Sequence, residues 1–455
     1  MSAVITSLPR PAGCCALGVG PLDRVIARAD GRDIALRTFH AQVRALAAQL
    51  PAGQHAVNLC EDRYRFMVAF CAVALRGQVT LLPPSRAPAV VQGVMECQPA
   101  TYAIGDGPLE TEPPHYWRMP DTLAEAGGEI PQVVDDVTVA IAFTSGSTGA
   151  PKAFPKTLGQ FRTSTAQLVT AMEDLWGGRT PSIVATVPAQ HMFGLEQSVM
   201  VPLLTCATLH GGRPFFPQDV AHALGEVQAP RMLVTTPMHL RALVESDVAL
   251  PPLAGCVSAT APLEQALAQA TEARFGGQVR EIFGSTETCI FATRRTAQDL
   301  AWTPLPGVSV QPQPDGSLID APHLPQPVAL ADLMEVQADG RFHLRGRQAD
   351  LLEIAGKRAS LGDLTRRLLA VPGVRDGVMV QVDSPGKVRR IAALVVALGL
   401  SEGDVLSSLR EAMDPVFLPR RIRFVDALPR TDTGKLPRVE LLRLLGDLDM
   451  PKDVR

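Results

Sequence analysis

The chain has no surplus of basic residues: 43 Lys and Arg stand against 46 Asp and Glu, a formal charge of −3. A sequence-independent nucleic-acid binder needs a basic excess to displace counterions from phosphate, so no nucleic-acid partner is expected. Long apolar runs are also missing. The longest, 67–75 and 391–400, are about half of the ~20 residues that span a bilayer, so no membrane span is expected. The N-terminus lacks the basic-then-apolar order of a secretory signal, and the chain reads as cytoplasmic. Eight cysteines, at 14, 15, 60, 71, 97, 206, 256 and 289, form no CxxC pair and no zinc-type spacing with the nine histidines, so reduced and mostly buried thiols are expected. HExxH, GxSxG and GxGxxG patterns are absent, which removes common hydrolase and dinucleotide signatures. Neither internal repeats nor low-complexity stretches occur.

What is present is apolar surface: 46% hydrophobic against 20% charged residues over 455 positions. That is enough to offset the ordering entropy of a large core and suits two or three domains. Helical spacing marks 41–50 and 67–75, the second ending at Arg76-Gly77. Residues 79–82 read as a short strand, and 137–143, β-branched and apolar, as a buried one. Beyond them strands at 183–187, 232–235, 255–259 and 279–283 alternate with helices at 196–204, 238–245 and 263–275. This rhythm predicts an α/β fold, a mainly parallel sheet with helices on its faces. After Arg347 the texture changes to a helix at 361–369, strands at 377–382 and 390–397, a helix at 402–413 and a strand at 421–425. The boundary is expected at 348/349, giving a large N-terminal domain (1–348) and a small α+β C-terminal domain (349–455).

Three segments could carry chemistry. Thr144-Ser145-Gly146-Ser147-Thr148-Gly149-Ala150-Pro151-Lys152 leaves the buried strand at 137–143. Its hydroxyls, its glycines and Lys152 make an anion cradle suited to phosphate, but Pro151 between Gly149 and Lys152 departs from a Walker loop. Alone, it could be a solvated turn. Phe283-Gly284-Ser285-Thr286-Glu287 likewise leaves a predicted strand, placing a carboxylate beside a hydroxyl where parallel sheets bind ligands, and Glu287 suits Mg²⁺ bridging nucleotide phosphates. Leu428-Pro429-Arg430-Thr431-Asp432-Thr433-Gly434-Lys435 puts a lysine on a turn of the small domain, which by itself would read as a surface turn. Cys289, just past the second segment, reads as a packing residue.

In this order and spacing the three segments resemble the adenylate-forming superfamily of acyl- and aryl-CoA ligases, carrier-protein-loading adenylation domains and luciferases. The resemblance implies a small C-terminal domain that is mobile and rotates between two half-reactions. It implies that the loop 144–152 wraps the β- and γ-phosphates of ATP through Thr144, Ser145, Gly146, Ser147, Thr148, Gly149 and Lys152, and that Glu287 binds Mg²⁺ while Thr286 meets the α-phosphate. Phe283, followed by Gly284, stands near adenine where the family usually has Tyr. Asp332, in an altered context, and Arg347 match the ribose contacts. Lys435 matches the adenylation lysine, and Gly356 and Arg358 the loop that serves thioester formation. At the hinge the chain departs from the family with Ala349, and Asp350 receives no catalytic role.

The same resemblance places His191 and Phe193 on the acyl pocket wall and Ser258, Ala259 and Thr260 on its floor; Ala259 and Thr260 add bulk where two glycines are common. The implied activity is ATP-dependent activation of a carboxylic acid through an acyl-adenylate, with AMP and pyrophosphate released, then acyl transfer to the thiol of CoA or of a phosphopantetheinyl acyl carrier protein. The expected substrate is an aryl or medium-chain acyl acid; the alternative is an acyl-AMP ligase that releases the adenylate, or an adenylating enzyme that does not transfer to a thiol. The chain is shorter than many members, before the phosphate loop, and Arg420, Arg421 and Arg423 are candidates to meet either CoA or an acidic carrier.

Overall fold

In the computed structural model, the structure describes residues 13–144, 151–347, 351–354, 357–382, 390–431 and 436–446. They fall into two compact units, one of residues 1–308 with 320–326 and one of 309–319 with 327–455. The expected boundary at 348/349 lies outside the described residues.

The first unit is built on two large sheets. One is six-stranded, ordered Lys152–Thr157, Thr138–Thr144, Val79–Leu82, His55–Asn58, Thr101–Gly105, Tyr116–Arg118, and only its edge strand Lys152–Thr157 runs antiparallel to its neighbour. The other is nine-stranded. Its centre, Val25–Ala29, Thr208–His210, Ser182–Ala185, Arg231–Thr235, Gly255–Ser258 and Gln278–Ser285, is parallel throughout, and antiparallel strands close both ends. The helix Arg63–Leu75 explains how the two are held. Its sequence RYRFMVAFCAVAL is apolar all round, as a helix buried on every face must be, and it touches strands of both sheets. Asp62 caps its first turn, accepting the Arg65 amide at 2.7 Å. Phe66, Met67, Val68 and Phe70 are wholly buried there, and full burial of such side chains is worth about 1.5–3 kcal/mol each.

Helices expected at 41–50 and 263–275 are found as Leu36–Gln49 and Gln265–Phe275, and the strand expected at 279–283 runs as Gln278–Ser285, into the Gly284-Ser285 pair. The helix expected at 196–204 differs. It is Met192–Leu195, a π-helical turn Glu196–Met200, then Val201–Leu204. The Ser198 hydroxyl takes the Gly194 carbonyl at 2.5 Å and Pro202 has no N–H to offer, so the regular ladder is interrupted on both sides of the turn.

The second unit begins with a three-stranded sheet, Ser309–Gln313, Gly316–Asp320 and Val328–Leu330, and two hairpins, Asp332–Val336 with Phe342–Arg347 and Leu351–Ile354 with Lys357–Ser360. A second three-stranded sheet, Val374–Val382, Arg390–Ala397 and Arg421–Phe424, follows with helices Leu361–Leu369, Glu402–Ala412 and Arg438–Leu445. Among the described residues no helix is long and apolar enough to cross a membrane.

Candidate active site

The parallel centre of the nine-stranded sheet decides what meets. Strands Ser182–Ala185, Arg231–Thr235, Gly255–Ser258 and Gln278–Ser285 point the same way, so the segments after them emerge along one edge. Those segments carry the expected pocket residues His191 and Phe193, then Ser258, Ala259 and Thr260, then Thr286 and Glu287. Phe193 is buried and His191 half-buried; Ser258 is fully buried, Ala259 and Thr260 half-buried. Ser258 Oγ and Thr260 Oγ1, at the end of one strand of this edge, have no hydrogen-bond partner in the protein, nor do the amide nitrogens of Gln190 and Gln197. Buried polar atoms are normally satisfied, so the two hydroxyls at this strand end are available to a polar ligand. Thr260 holds φ +78, a conformation that costs a β-branched residue energy.

Two buried side chains shape this edge without belonging to any expected motif. Arg63, at the start of its helix, donates to the carbonyls of Ala185 at 2.9 Å and Val187 at 2.6 Å and to Ser198 Oγ at 2.6 Å, tying the strand end to the π-helical turn. Burial pulls its guanidinium down to about 9. Glu281 accepts Arg294 Nε and Nη2 at 2.8 and 2.6 Å, Thr296 Oγ1 at 2.8 Å and the Leu263 amide at 3.2 Å, pinning the segment that follows Ser258. Burial pushes its carboxyl up. All its oxygens serve the scaffold, so it is structural.

The turn bearing Thr286 and Glu287 is closed by local bonds: Ser285 N donates to Thr288 Oγ1 at 3.1 Å, and Thr288 N to Ser285 Oγ at 3.3 Å. Gly284 is required here, because a Cβ would lie 2.4 Å from the Cys289 carbonyl oxygen. Cys289 holds φ +58 and is buried; burial pushes its thiol up to about 12, so it remains a thiol and packs. Phe283 lies half-buried against Phe291 and Trp302, ring centroids 5.1 and 5.2 Å away.

Thr144 and Lys152 are cross-strand partners at the mouth of the phosphate-loop hairpin, Lys152 exposed. Ser145, Gly146, Ser147, Thr148 and Gly149 lie outside the described residues, as do Lys435, Gly356, Ala349 and Asp350. In the second unit, Asp332 and Arg347 are directly opposite on their hairpin, so the two expected ribose contacts are neighbours. Arg421 and Arg423 are exposed on one strand and flank buried Ile422; Arg420 precedes them, also exposed. Among the described residues no group of three or more potential metal ligands occurs, and a site built on the Glu287 carboxylate suits Mg²⁺, which keeps waters and takes most other ligands from nucleotide phosphates.

Sequence reading passed over Lys156, Glu196 and His323. Each is a charged or titratable residue within an apolar stretch, which was the available signal. All three are buried and bond the backbone around Glu287.

The AMP-binding enzyme family matches residues 16–320, and the AMP-binding enzyme C-terminal domain matches residues 366–435. A 4-coumarate–CoA ligase of Rhodobacter capsulatus is 30% identical over 300 residues, 65% of this chain and 74% of that protein. ATP-bound MatB from Rhodopseudomonas palustris superposes with a TM-score of 0.80 at 20% identity, covering 94% of this chain and 97% of that one. The o-succinylbenzoate CoA synthetase of Bacillus subtilis, in complex with its acyl-adenylate intermediate, gives a TM-score of 0.79 at 18% identity over 95% of this chain and 96% of that one.

Proposed function

The chain belongs to the AMP-binding enzyme family of adenylate-forming enzymes, and from that premise we propose that it is an acid–thiol ligase acting in the cytoplasm on an aryl or medium-chain acyl acid. In the first half-reaction a substrate carboxylate oxygen attacks the α-phosphorus of ATP, a P–O bond forms, and the bond to pyrophosphate breaks in line. The carboxylate is already ionised at neutral pH, so no general base is required. Catalysis then rests on holding charge in place. Lys152 and the hydroxyls and amides of 144–149 hold the departing pyrophosphate, Lys435 neutralises the attacking carboxylate and α-phosphate, and Thr286 orients the α-phosphate. Mg²⁺ held by Glu287 would offset phosphate charge. Asp332 and Arg347 hold the ribose, and Phe283 borders the adenine. In the second half-reaction the thiol sulfur of CoA or of a carrier phosphopantetheine attacks the acyl carbon, the thioester forms and AMP leaves. Rotation of the C-terminal domain, 349–455, would exchange Lys435 for the Gly356–Arg358 loop.

The observation that carries this reading is the convergence, on one edge of a parallel sheet, of the Thr286–Glu287 turn with a segment whose Ser258 and Thr260 hydroxyls have no partner. The test is pyrophosphate release from ATP across benzoates, cinnamates and C2–C16 fatty acids, with and without CoA. Release with one acid class, stimulated by CoA, supports a CoA ligase. Release that CoA leaves unchanged moves the acceptor to a carrier protein or ends the reaction at the adenylate. No release with any acid sinks the proposal.

A further inference from the structure

The turn that carries Glu287 is gripped from behind by three side chains from three separate segments. Lys156 Nζ donates to the Glu287 carbonyl at 2.7 Å. His323 Nε2 donates to the Thr288 carbonyl at 2.7 Å, its other ring nitrogen facing Gln167 Oε1 at 2.8 Å. Glu196 Oε2 accepts the Ile290 amide at 3.0 Å. Lys156, Glu196 and His323 are each under 5% exposed. The Lys156 ammonium also acts on the Cys289 thiol and on Glu196, in each case favouring the ionised form. A backbone held at φ +58 at Cys289 stores strain that persists only where its surroundings over-determine it, and these bonds do so.

Lys156 is the singular member. It lies on strand Lys152–Thr157, the limb that leaves the phosphate loop, in the six-stranded sheet; the carbonyl it holds belongs to a turn of the nine-stranded sheet, 131 positions away. Strand alternation puts Lys152 and Lys156 on the same face of that limb. A buried ammonium is expensive to desolvate, and an apolar residue at that strand position would pack without the cost. The bond it makes is charge-assisted and therefore roughly twice as strong as a neutral one.

We propose that Lys156 is a positioning residue, a strut that ties strand Lys152–Thr157 to the Glu287 turn, so that Lys152 at the start of that strand and the Glu287 carboxylate meet the phosphates of one nucleotide. This rests on the proposed role of Glu287 in holding Mg²⁺. It assigns Lys156 no contact with substrate: Lys156 acts through the backbone of Glu287.

The experiment is a double-mutant cycle on the full chain, titrating ATP calorimetrically once with Mg²⁺ and once with EDTA, alongside melting curves. Losing an outer partner of a metal-holding residue typically costs 10–100-fold in metal affinity. Lys156→Met is therefore expected to weaken binding of ATP with Mg²⁺ by about 10-fold or more while changing metal-free ATP binding by less than about twofold. In a Glu287→Gln background the same change is expected to cost less than about twofold, because the carboxylate it positions is gone. Lys156→Gln, which keeps a donor without the charge, runs the same cycle if methionine prevents folding. Equal losses in both backgrounds, or equal losses with and without Mg²⁺, overturn the strut. If the unmodified chain gains no ATP affinity from Mg²⁺, the Glu287 reading falls and the strut with it; if that chain gains affinity and Lys156→Met keeps the gain, the strut alone falls.

Discussion

Thr260 offers a prediction in which stability and substrate choice should move together. It combines φ +78 with a hydroxyl that has no hydrogen-bond partner, in a segment matching the floor of the acyl pocket. Left-handed backbone costs a residue with a Cβ about 1–2 kcal/mol, which glycine does not incur. An unpartnered buried hydroxyl costs about 1–3 kcal/mol; the Thr260 oxygen is buried but the residue is half-exposed, so a small χ1 rotation brings the oxygen to water and the low end applies. Against these stand glycine's extra unfolded-state freedom, about 0.5–1 kcal/mol, and the lost methyl contact, about 0.8 kcal/mol at full burial. The balance for Thr260→Gly is a gain of about 1 kcal/mol, or roughly 2 °C in melting temperature for a unit of this size. Thr260→Ala separates the terms: it removes the hydroxyl but keeps the strained Cβ, and should leave the melting temperature within about 1 °C. In pyrophosphate release across the acid panel, Thr260→Gly should extend turnover toward bulkier acids. A glycine variant that melts lower than the alanine variant refutes the strain argument. An unchanged acid profile removes Thr260 from the pocket.

Glu196 supplies a pH signature. Burial pushes its carboxyl up from 4.5 to about 7. The folded chain therefore binds this proton more tightly than the unfolded chain, so the associated stability is present below pH 4.5 and fades as pH rises through about 7. Glu196→Gln abolishes that dependence, so in denaturant titrations its stability relative to the unmodified chain should rise by about 3 kcal/mol between pH 4.5 and 8; a constant difference refutes it. Lys435→Ala should reduce acid-dependent pyrophosphate release by at least about 100-fold while ATP binding changes little, and unchanged release removes the lysine from the reaction. Glu287→Gln should raise the Mg²⁺ concentration for half-maximal release by about 10-fold or more, and an unaltered metal titration places the ion elsewhere.

The amino-acid sequence by itself determined the fold class and the chemical vocabulary of the site, because both are written in local patterns. Alternating apolar strands and helices dictate a parallel sheet, and a parallel sheet dictates that segments following its strands share an edge. Hence Thr286 and Glu287 could be set at a sheet edge, and Thr144 and Lys152 at the two ends of one loop, before any coordinates were known, while Ser258 and Thr260 joined them only through the resemblance to the adenylate-forming superfamily. Strand and helix limits came within a few residues for the same reason. The π-helical turn at Glu196–Met200 was not legible. It depends on a Ser198 hydroxyl that competes with the backbone for Gly194 and is itself held by Arg63, 135 positions away. The grip on Glu287 was equally hidden, since Lys156, Glu196 and His323 come from segments with no shared spacing and only packing of two sheets brings them to one turn. Local periodicity reports which face of an element is apolar; it carries no record of which distant polar atom will satisfy a particular carbonyl. The tertiary structure alone decided that.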